Sequence, residues 1–250
     1  MSKIKTIGII PARYASSRFP GKPLVDIAGK SMIQRVYEQA AKSHCLDDVV
    51  VATDDERIFA HVSSFGGKAL MTADTHQSGT DRCAEVLTVH TGFDVAVNIQ
   101  GDEPYIDPAQ IDLLVACFEN ADVQIATLIK KITSVEELFN TGIPKVVVDF
   151  QGRAIYFSRQ TIPFQRNAPS QDWLHLHRYY KHIGIYGYRT ETLAEITKLP
   201  LSVLEKAEAL EQLRWIENGY AIQTAETTLE TIAVDTPEDL DRVLKTIEKP

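Results

Sequence analysis

The segment Thr6–Lys22, TIGIIPARYASSRFPGK, is the part of the chain that indicates its fold. Its first residues, Thr6–Ile10, are apolar or β-branched and are followed by a proline, which predicts a buried strand. The loop after this strand carries three cations, namely Arg13, Arg18 and Lys22. In open α/β sheets, ligands bind at the carboxyl ends of the strands. We therefore expect this loop to bind an anion such as a triphosphate, which Arg forks and Lys charges suit.

Strands and helices alternate along the chain as far as about residue 120. The further predicted strands are Asp48–Ala52, Lys68–Met71 and Val95–Ile99, and the predicted helices are Ser31–Lys42, Glu56–Phe65, Gly79–His90 and Ile111–Glu119. Short apolar strands separated by helices are typical of a parallel sheet that is covered on both faces. We therefore predict an α/β fold with a doubly wound, largely parallel sheet.

The pattern becomes rich in β-strands after Asp122. The predicted strands here are Gln124–Ile132, Lys145–Phe150, Arg153–Phe157 and His182–Tyr188. The later predicted helices are Val203–Asn218 and Thr236–Glu248, the second with Thr236 as its N-cap and a short strand ending at Val234 before it. Because neither a linker nor an internal repeat is visible, we interpret residues 1–250 as one α/β domain with a β-rich insert at about 124–190.

The charge distribution points to a small anionic ligand. The chain has 26 Lys and Arg against 34 Asp and Glu, a formal net charge of −8, which argues against general affinity for nucleic acid or an anionic membrane. Between Pro11 and Lys30, however, four cations are present with Asp26 as the one acid. Neither GxxxxGK[ST] nor GxGxxG follows the first strand, which disfavours a P-loop enzyme and makes a dehydrogenase the weakest alternative.

Composition also indicates a compartment. No apolar run approaches the roughly 20 residues of a membrane span, and the N-terminus lacks the small-residue cleavage site of a signal peptide. The cysteines Cys45, Cys83 and Cys117 are too widely spaced to indicate a disulfide framework or a zinc site. We expect a cytoplasmic protein. The HxH pair of His175 and His177 lacks further ligand spacing and is interpreted as packed or exposed.

Three polar clusters each allow two interpretations. HQSGTDR, His76–Arg82, is either a turn with a helix cap or a ligand-binding surface. NIQGDEP, Asn98–Pro104, places a carboxylate pair after a buried strand, where it either faces solvent or binds Mg²⁺. Gly101 within it favours a backbone that passes close to a ligand. Asp235 either stabilises the last helix or, since Thr236 fills the cap position, is free to bind a ligand.

The loop Pro11–Lys22, these clusters and three other segments resemble the signatures of CMP-sugar-acid synthetases. The PARxxSxRxPGK pattern of that family matches Pro11–Lys22, and its QSGT-[ED]-R pattern matches Gln77–Arg82. The other similar blocks are NIQGDEP, YFSRQTIP at Tyr156–Pro163, HIGIYGYR at His182–Arg189 and LEQLR at Leu210–Arg214. The resemblance extends from about Ile7 to Val243 and implies a fold like that of the nucleotide-diphospho-sugar transferases.

The resemblance implies a role for each matching residue. The nucleotide-binding residues that it implies are Arg13, Ser16, Arg18, Lys22, Ser78, Arg82 and Gln100, with Ser78 and Arg82 against the cytosine. The sugar-binding residues that it implies are Arg159, His182, Tyr186, Glu211 and Gln212, with Arg159 at the sugar carboxylate. The implied Mg²⁺ ligands are Asp102 and Asp235, and the implied catalytic residues are Lys22, Arg18 and Asp102. Glu103 is given no role, and no residue is named as a general base.

The activity implied by the resemblance is transfer of CMP from CTP to a sugar acid. The anomeric hydroxyl of the acid attacks the α-phosphorus, pyrophosphate leaves, and the cations of the loop offset its charge. The similarity is greatest to the branch that uses 3-deoxy-manno-octulosonate (Kdo) for lipopolysaccharide synthesis, so CTP and Kdo are the expected partners. A homodimer formed through the β-rich insert is also implied. Amino-Kdo or a sialic acid as the acceptor, and a non-catalytic nucleotide sensor, remain the alternatives.

Overall fold

The computed structural model describes residues 3–15 and 19–247, with side chains as far as Lys245. The strands are β1 (Thr6–Ala12), β2 (Asp26–Ile27), β3 (Lys30–Ser31), β4 (Asp48–Thr53), β5 (Ala69–Met71), β6 (Val95–Asn98), β7 (Ile125–Lys131), β8 (Lys145–Val148), β9 (Ala154–Ser158), β10 (Tyr180–Arg189) and β11 (Ile222–Glu226). The helices are α1 (Met32–Ala40), α2 (Glu56–Ser64), α3 (Gly79–Val89), α4 (Pro108–Ala116), α5 (Val135–Phe139), α6 (Trp173–Leu176), α7 (Thr190–Ile196), α8 (Val203–Glu208), α9 (Gln212–Glu217) and α10 (Pro237–Ile247). The chain divides into a first unit, which ends at Val115 and resumes at Glu230, and a second unit, Ala116–Leu229.

The main sheet of the first unit consists of parallel strands in the order β6–β1–β4–β5. Ile7 and Ile9 on β1 and Val50 on β4 are fully buried, as expected for strands that are covered on both faces. The predicted α/β fold with a largely parallel sheet is confirmed. The short strands β2 and β3 form a separate antiparallel pair.

The last helix is attached to the first unit by a small apolar cluster. Val234 and Val243 are buried together with Ile27 and Met32, and Leu240 packs against them. Thr236 is the N-cap, as predicted, since its hydroxyl accepts a hydrogen bond from the backbone N–H of Asp239 at 3.3 Å. The prediction of a strand that ends at Val234 is wrong. The backbone N–H of Val234 donates to Asp102 O, which belongs to an irregular loop and not to a strand.

The second unit contains a mixed sheet. β7 pairs with β11 in parallel and with β10 antiparallel, and β8 pairs antiparallel with both β10 and β9. A hairpin turn joins β8 and β9, with the Asp149 carboxylate accepting hydrogen bonds from the backbone N–H groups of Gln151 and Arg153 at 2.8 Å each. The β10 ladder shifts register between Ile183 and Tyr186.

Two helix predictions need correction. The single helix predicted over Val203–Asn218 is two helices, α8 and α9, because Ala209 adopts the left-handed conformation, with φ 51° and ψ 49°. The helix predicted to begin at Ile111 begins at Pro108, since proline is well tolerated in a first turn. Within the described ranges, no helix has the length and apolar character needed to cross a membrane.

Candidate active site

The carboxyl ends of β1 and β6 face a cleft of about 500 Å³ in the first unit. The loop after β1, the start of α3 and the loop after β6 all contribute to its wall. Of the residues expected to bind the nucleotide or the metal, those lining it are Arg13, Lys22, Arg82, Gln100 and Asp102. Because β1 and β6 are parallel neighbours, the segments that follow them emerge side by side, which brings together residues that are distant in the sequence.

Two glycines allow these segments to approach each other. A Cβ atom on Gly101 would lie 2.7 Å from the carbonyl oxygen of Pro11, which is too close for any other residue. A Cβ atom on Gly79, the first residue of α3, would lie 3.3 Å from the ring of the same proline. The loop after β6 and the start of α3 therefore both close onto Pro11. Gly101 was expected to let the backbone pass close to a ligand, and the close approach that the structure shows is to the Pro11 carbonyl.

The ammonium group of Lys22 joins the two carboxylates that were predicted to bind metal. Its Nζ lies 2.8 Å from Asp102 Oδ2 and 3.0 Å from Asp235 Oδ1. The three side chains retain 15%, 27% and 37% of their exposure, so the charges attract each other more strongly than they would at an open surface. One small cationic group is thus able to contact both carboxylates at once.

Backbone and side-chain hydrogen bonds hold Asp235 opposite Asp102. The backbone N–H of the preceding residue, Val234, donates to Asp102 O at 2.9 Å. The Asp239 carboxylate accepts from the backbone N–H groups of Asp235 and Thr236, at 3.1 and 3.0 Å. The segment before α10 is therefore fixed to the loop after β6, although neither segment belongs to a strand.

Glu103 is a site feature that the sequence interpretation set aside. Its carboxylate accepts a hydrogen bond from the hydroxyl of Thr231 at 2.8 Å. Burial raises the pKa of Glu103 to about 7, the Thr231 hydrogen bond opposes this, and the neighbouring charge of Asp102 adds to it. No signal in the sequence pairs Glu103 with Thr231, because 127 residues lie between them.

Arg82 is fully buried beneath the cleft. Its guanidinium donates to Asp54 Oδ2 at 2.9 Å and to the hydroxyl of Thr72, and its Nε atom has no hydrogen-bond partner among the described residues. A buried Nε–H without a partner is a donor that a ligand carbonyl or ring nitrogen could satisfy. Asp54 was not among the residues that the sequence predicted for the site.

Ser78 has the capping role that was one of its two interpretations. Its side chain accepts from the backbone N–H of Asp81 and the Asp81 carboxylate accepts from the backbone N–H of Ser78, both at 3.1 Å, which forms a capping box at the start of α3. The Ser78 hydroxyl keeps its own proton to donate. Arg13 is exposed at the cleft, whereas Ser16 and Arg18 lie outside the described residues.

The predicted sugar-binding residues all belong to the second unit, and several of them lie together. The rings of His182 and Tyr186, both on β10, are 5.2 Å apart. Thr127 donates to Ile185 O at 2.7 Å, so its hydroxyl accepts the hydrogen bond from His182 Nε2 at 2.9 Å. Burial lowers the pKa of His182 to about 4. Burial raises the pKa of Tyr186 well above its usual range, the Glu211 carboxylate adds to this, and Thr127 opposes it.

Arg159 is fixed by the break between α8 and α9. Its Nε donates to Glu208 O at 2.7 Å, and its backbone N–H donates to the Glu208 carboxylate at 3.0 Å. Glu211 is the N-cap residue of α9 and pairs with Arg214 at 3.0 Å, while Gln212 is buried at the first position of α9 with its Nε2 unbonded within the described part of the chain. These side chains present both donors and acceptors.

The donor set in the first unit fits a magnesium ion. Mg²⁺ is usually bound by one or two carboxylates together with phosphate oxygens and water, and Asp102 and Asp235 already share one cationic partner. Among residues 3–15 and 19–247, no cluster of three or more His, Cys, Asp or Glu side chains could hold a metal ion. His175 and His177 are both exposed.

Comparisons with known proteins identify the family to which the chain belongs. Residues 7–232 match the family model described as cytidylyltransferase. The chain is 60% identical over 241 residues to a 3-deoxy-manno-octulosonate cytidylyltransferase of Bacteroides thetaiotaomicron, covering 95% of this chain and 96% of the relative. It is 56% identical to the protein of the same name from Parabacteroides distasonis, covering 96% and 97%. The solved structure of a CMP:2-keto-3-deoxy-manno-octonic acid synthetase complexed with CTP superposes with a TM-score of 0.91 and 44% identity, covering 97% of this chain and 98% of that one.

Proposed function

The chain belongs to the cytidylyltransferase family, and we propose that it transfers CMP from CTP to Kdo, giving CMP-Kdo and pyrophosphate, for lipopolysaccharide synthesis. The observation that carries this proposal is the contact of Lys22 with both Asp102 and Asp235 at the mouth of a nucleotide-sized cleft. A cation and two carboxylates at one point suit a reaction in which a phosphate-bearing substrate must be held together with a metal ion.

In the reaction, the anomeric oxygen of Kdo forms a bond to the α-phosphorus of CTP. The bond from that phosphorus to the bridging oxygen breaks, pyrophosphate leaves, and the proton of the attacking hydroxyl passes to solvent. Arg13, Arg18 and Lys22 hold the phosphates and offset the charge that develops on the leaving group. Positioning and charge neutralisation supply most of the acceleration of such transfers, so the chain needs no covalent nucleophile.

The nucleotide base is read at the start of α3. The unpartnered Nε of Arg82 supports its role as a donor to the cytosine, and the proton of the Ser78 hydroxyl supplies a second donor. Gln100 lies at the cleft as a further nucleotide contact. Because Asp54 and Thr72 hold Arg82, this donor is oriented before the nucleotide binds.

The sugar acid is bound by Arg159, His182, Tyr186, Glu211 and Gln212. The second unit supports this assignment because it presents a cation, a neutral imidazole, an amide and a carboxylate, which match a carboxylate and several hydroxyls. Asp102 and Asp235 would hold Mg²⁺. The ion supplies a Lewis acid that lowers the pKa of the attacking hydroxyl and neutralises phosphate charge.

Pyrophosphate release tests the proposed reaction. Purified protein is incubated with CTP, Mg²⁺ and Kdo, and pyrophosphate and CMP-Kdo are measured; we expect equal amounts of both. Parallel reactions with amino-Kdo and a sialic acid test the alternative acceptors, and a reaction with UTP tests the choice of base. CTP binding without pyrophosphate release for any acid would instead favour the nucleotide sensor.

Three further features remain proposals. We propose that the enzyme is a homodimer formed through the β-rich segment, that it acts in the cytoplasm, and that residues 1–250 work as one catalytic domain. Cys45, Cys83 and Cys117 form no disulfide within the described part of the chain, which is compatible with a reducing compartment. Sedimentation analysis, cell fractionation and separate expression of Ala116–Leu229 test the three features in turn.

A further inference from the structure

The loop after β1 is closed at its base by Tyr14 and Gly21. The backbone N–H of Gly21 donates to Tyr14 O at 3.0 Å. Gly21 has a φ of +72°, and a Cβ atom there would lie 3.2 Å from the Tyr14 ring. A side chain at Gly21 would therefore be strained by the backbone and crowded by the ring. The aromatic ring packs directly on the glycine backbone.

Arg57, at the start of α2, lies on the same aromatic ring. The centre of its guanidinium is 3.3 Å from the centroid of Tyr14, a cation–π contact. Asp55 accepts hydrogen bonds from Arg57 Nε at 3.0 Å and from Nη2 at 2.6 Å, and this paired contact fixes the plane of the guanidinium. Asp55 is itself the N-cap of α2, so the arrangement is anchored to a helix.

The contact lies between two cations that we assign to the triphosphate. Arg13 directly precedes Tyr14, and Lys22 directly follows Gly21. The contact between Tyr14 and Gly21 therefore limits how far apart the backbones of Arg13 and Lys22 can lie. If Tyr14 and Gly21 moved apart, CTP binding would have to bring them together again, and that cost would reduce the affinity for CTP.

We propose that Arg57 is a positioning residue for the triphosphate, acting by holding the Tyr14 ring against Gly21. This inference rests on the proposed function, since it takes Arg13 and Lys22 to be phosphate ligands. Arg57 itself does not contact the nucleotide: its guanidinium is engaged by Asp55 and by the ring. The result is that Arg13 and Lys22, on either side of this contact in the sequence, are held near each other before CTP arrives.

Calorimetric binding of CTP and of CMP to the full chain tests this role. CMP keeps the base but lacks two of the phosphates. Loss of a residue that positions the triphosphate site should therefore weaken the binding of CTP more than the binding of CMP. For Arg57→Leu we expect the Kd for CTP to rise about two- to five-fold, the range for an exposed cation–π contact, while the Kd for CMP stays within about two-fold. Arg57→Lys keeps a cation and should recover part of the loss, and Tyr14→Phe keeps the ring as the conservative variant.

Arg153→Leu is the matched control, because Arg153 is another exposed arginine paired with an aspartate, Asp149, and stacks on no ring. A double-mutant cycle of Arg57→Leu with Tyr14→Leu should show that the two losses do not add. Additive losses, an equal weakening of CTP and CMP, or an effect no larger than that of Arg153→Leu would overturn the inference. Turnover of the wild-type chain with Kdo, measured separately, judges the proposed function itself.

Discussion

Lys22 and Asp102 are 80 residues apart in the sequence, yet Lys22 Nζ lies 2.8 Å from Asp102 Oδ2. The same ammonium reaches Asp235 from the opposite side at 3.0 Å. A metal ion bound by both carboxylates, as proposed, would therefore have to share this space with the lysine or displace it. The lysine is thus both a partner of the carboxylates and a candidate phosphate ligand.

Replacing Lys22 with glutamine should lower kcat for pyrophosphate release by at least about 100-fold, because a fixed charge that stabilises the leaving group is lost. Lys30→Gln is the matched control, since Lys30 forms a similar ion pair with Glu38 but lies outside the cleft. A Lys22→Gln variant that keeps more than a tenth of wild-type turnover would contradict the assignment.

Gly101→Ala should impair both stability and turnover. The added methyl group would lie 2.7 Å from Pro11 O, a backbone atom that cannot move without shifting β1. We expect a loss of roughly 1–3 kcal/mol in the free energy of unfolding, measured in urea, together with reduced pyrophosphate release. For stability, Gly184→Ala is the control, because a Cβ atom there meets nothing within 4 Å.

His182 should make the stability of the protein depend on pH below neutrality. Burial lowers its pKa from 6.5 to about 4, so between these values the unfolded chain binds a proton that the folded chain does not. The contribution of His182 to the free energy of unfolding is complete above pH 6.5. It falls by up to roughly 3 kcal/mol as pH falls to 4. Urea unfolding of wild type and His182→Asn at pH 7 and pH 4.5 should show the difference between them shrinking at the lower pH.

His175→Asn is the control for this measurement, because His175 is exposed. A difference between wild type and His182→Asn that is the same at both pH values would show that His182 titrates normally in the folded protein.

Glu103 should have the opposite effect and make the protein less stable as pH rises. Burial raises its pKa from 4.5 to about 7, so the folded state holds a proton that the unfolded chain releases at lower pH. Stability is therefore lost as pH rises from 4.5 through 7. A glutamine at this position cannot ionise. The free energy of unfolding of Glu103→Gln, relative to that of wild type, should therefore rise by up to roughly 3 kcal/mol between pH 4.5 and pH 8.

Unfolding of Glu103→Gln and wild type at pH 5 and pH 8 checks this gain, with exposed Glu119→Gln as the control. An equal offset at both pH values would mean that the carboxyl group of Glu103 is ionised throughout.

The parallel sheet was predictable because its strands are short apolar runs, buried on both faces, that alternate with helices. The break at Ala209 was not, because alanine rarely adopts a left-handed conformation and only the tertiary structure imposes it. For α7 and β11 we made no prediction, although Ile222 and Thr224 do alternate with more exposed residues.

The candidate site could likewise be predicted from the sequence only in part. Motifs indicated Lys22, Asp102 and Asp235 individually. The periodicity of the sequence, however, does not show which ammonium group contacts which carboxylate. The partners Asp54 of Arg82 and Thr231 of Glu103 depend on how distant loops pack, and local sequence patterns do not record such pairs. The exact sugar-binding geometry remains a prediction.

The first unit is discontinuous, since it ends at Val115 and resumes at Glu230. A ribosome makes the chain in order, so all of Ala116–Leu229 is synthesised before Asp235 exists to face Asp102. A nascent chain that ends before Asp235 therefore lacks the second of the two carboxylates that Lys22 contacts. If Asp235 has the role proposed for it, catalytic competence is acquired late in translation, once the segment before α10 has been made.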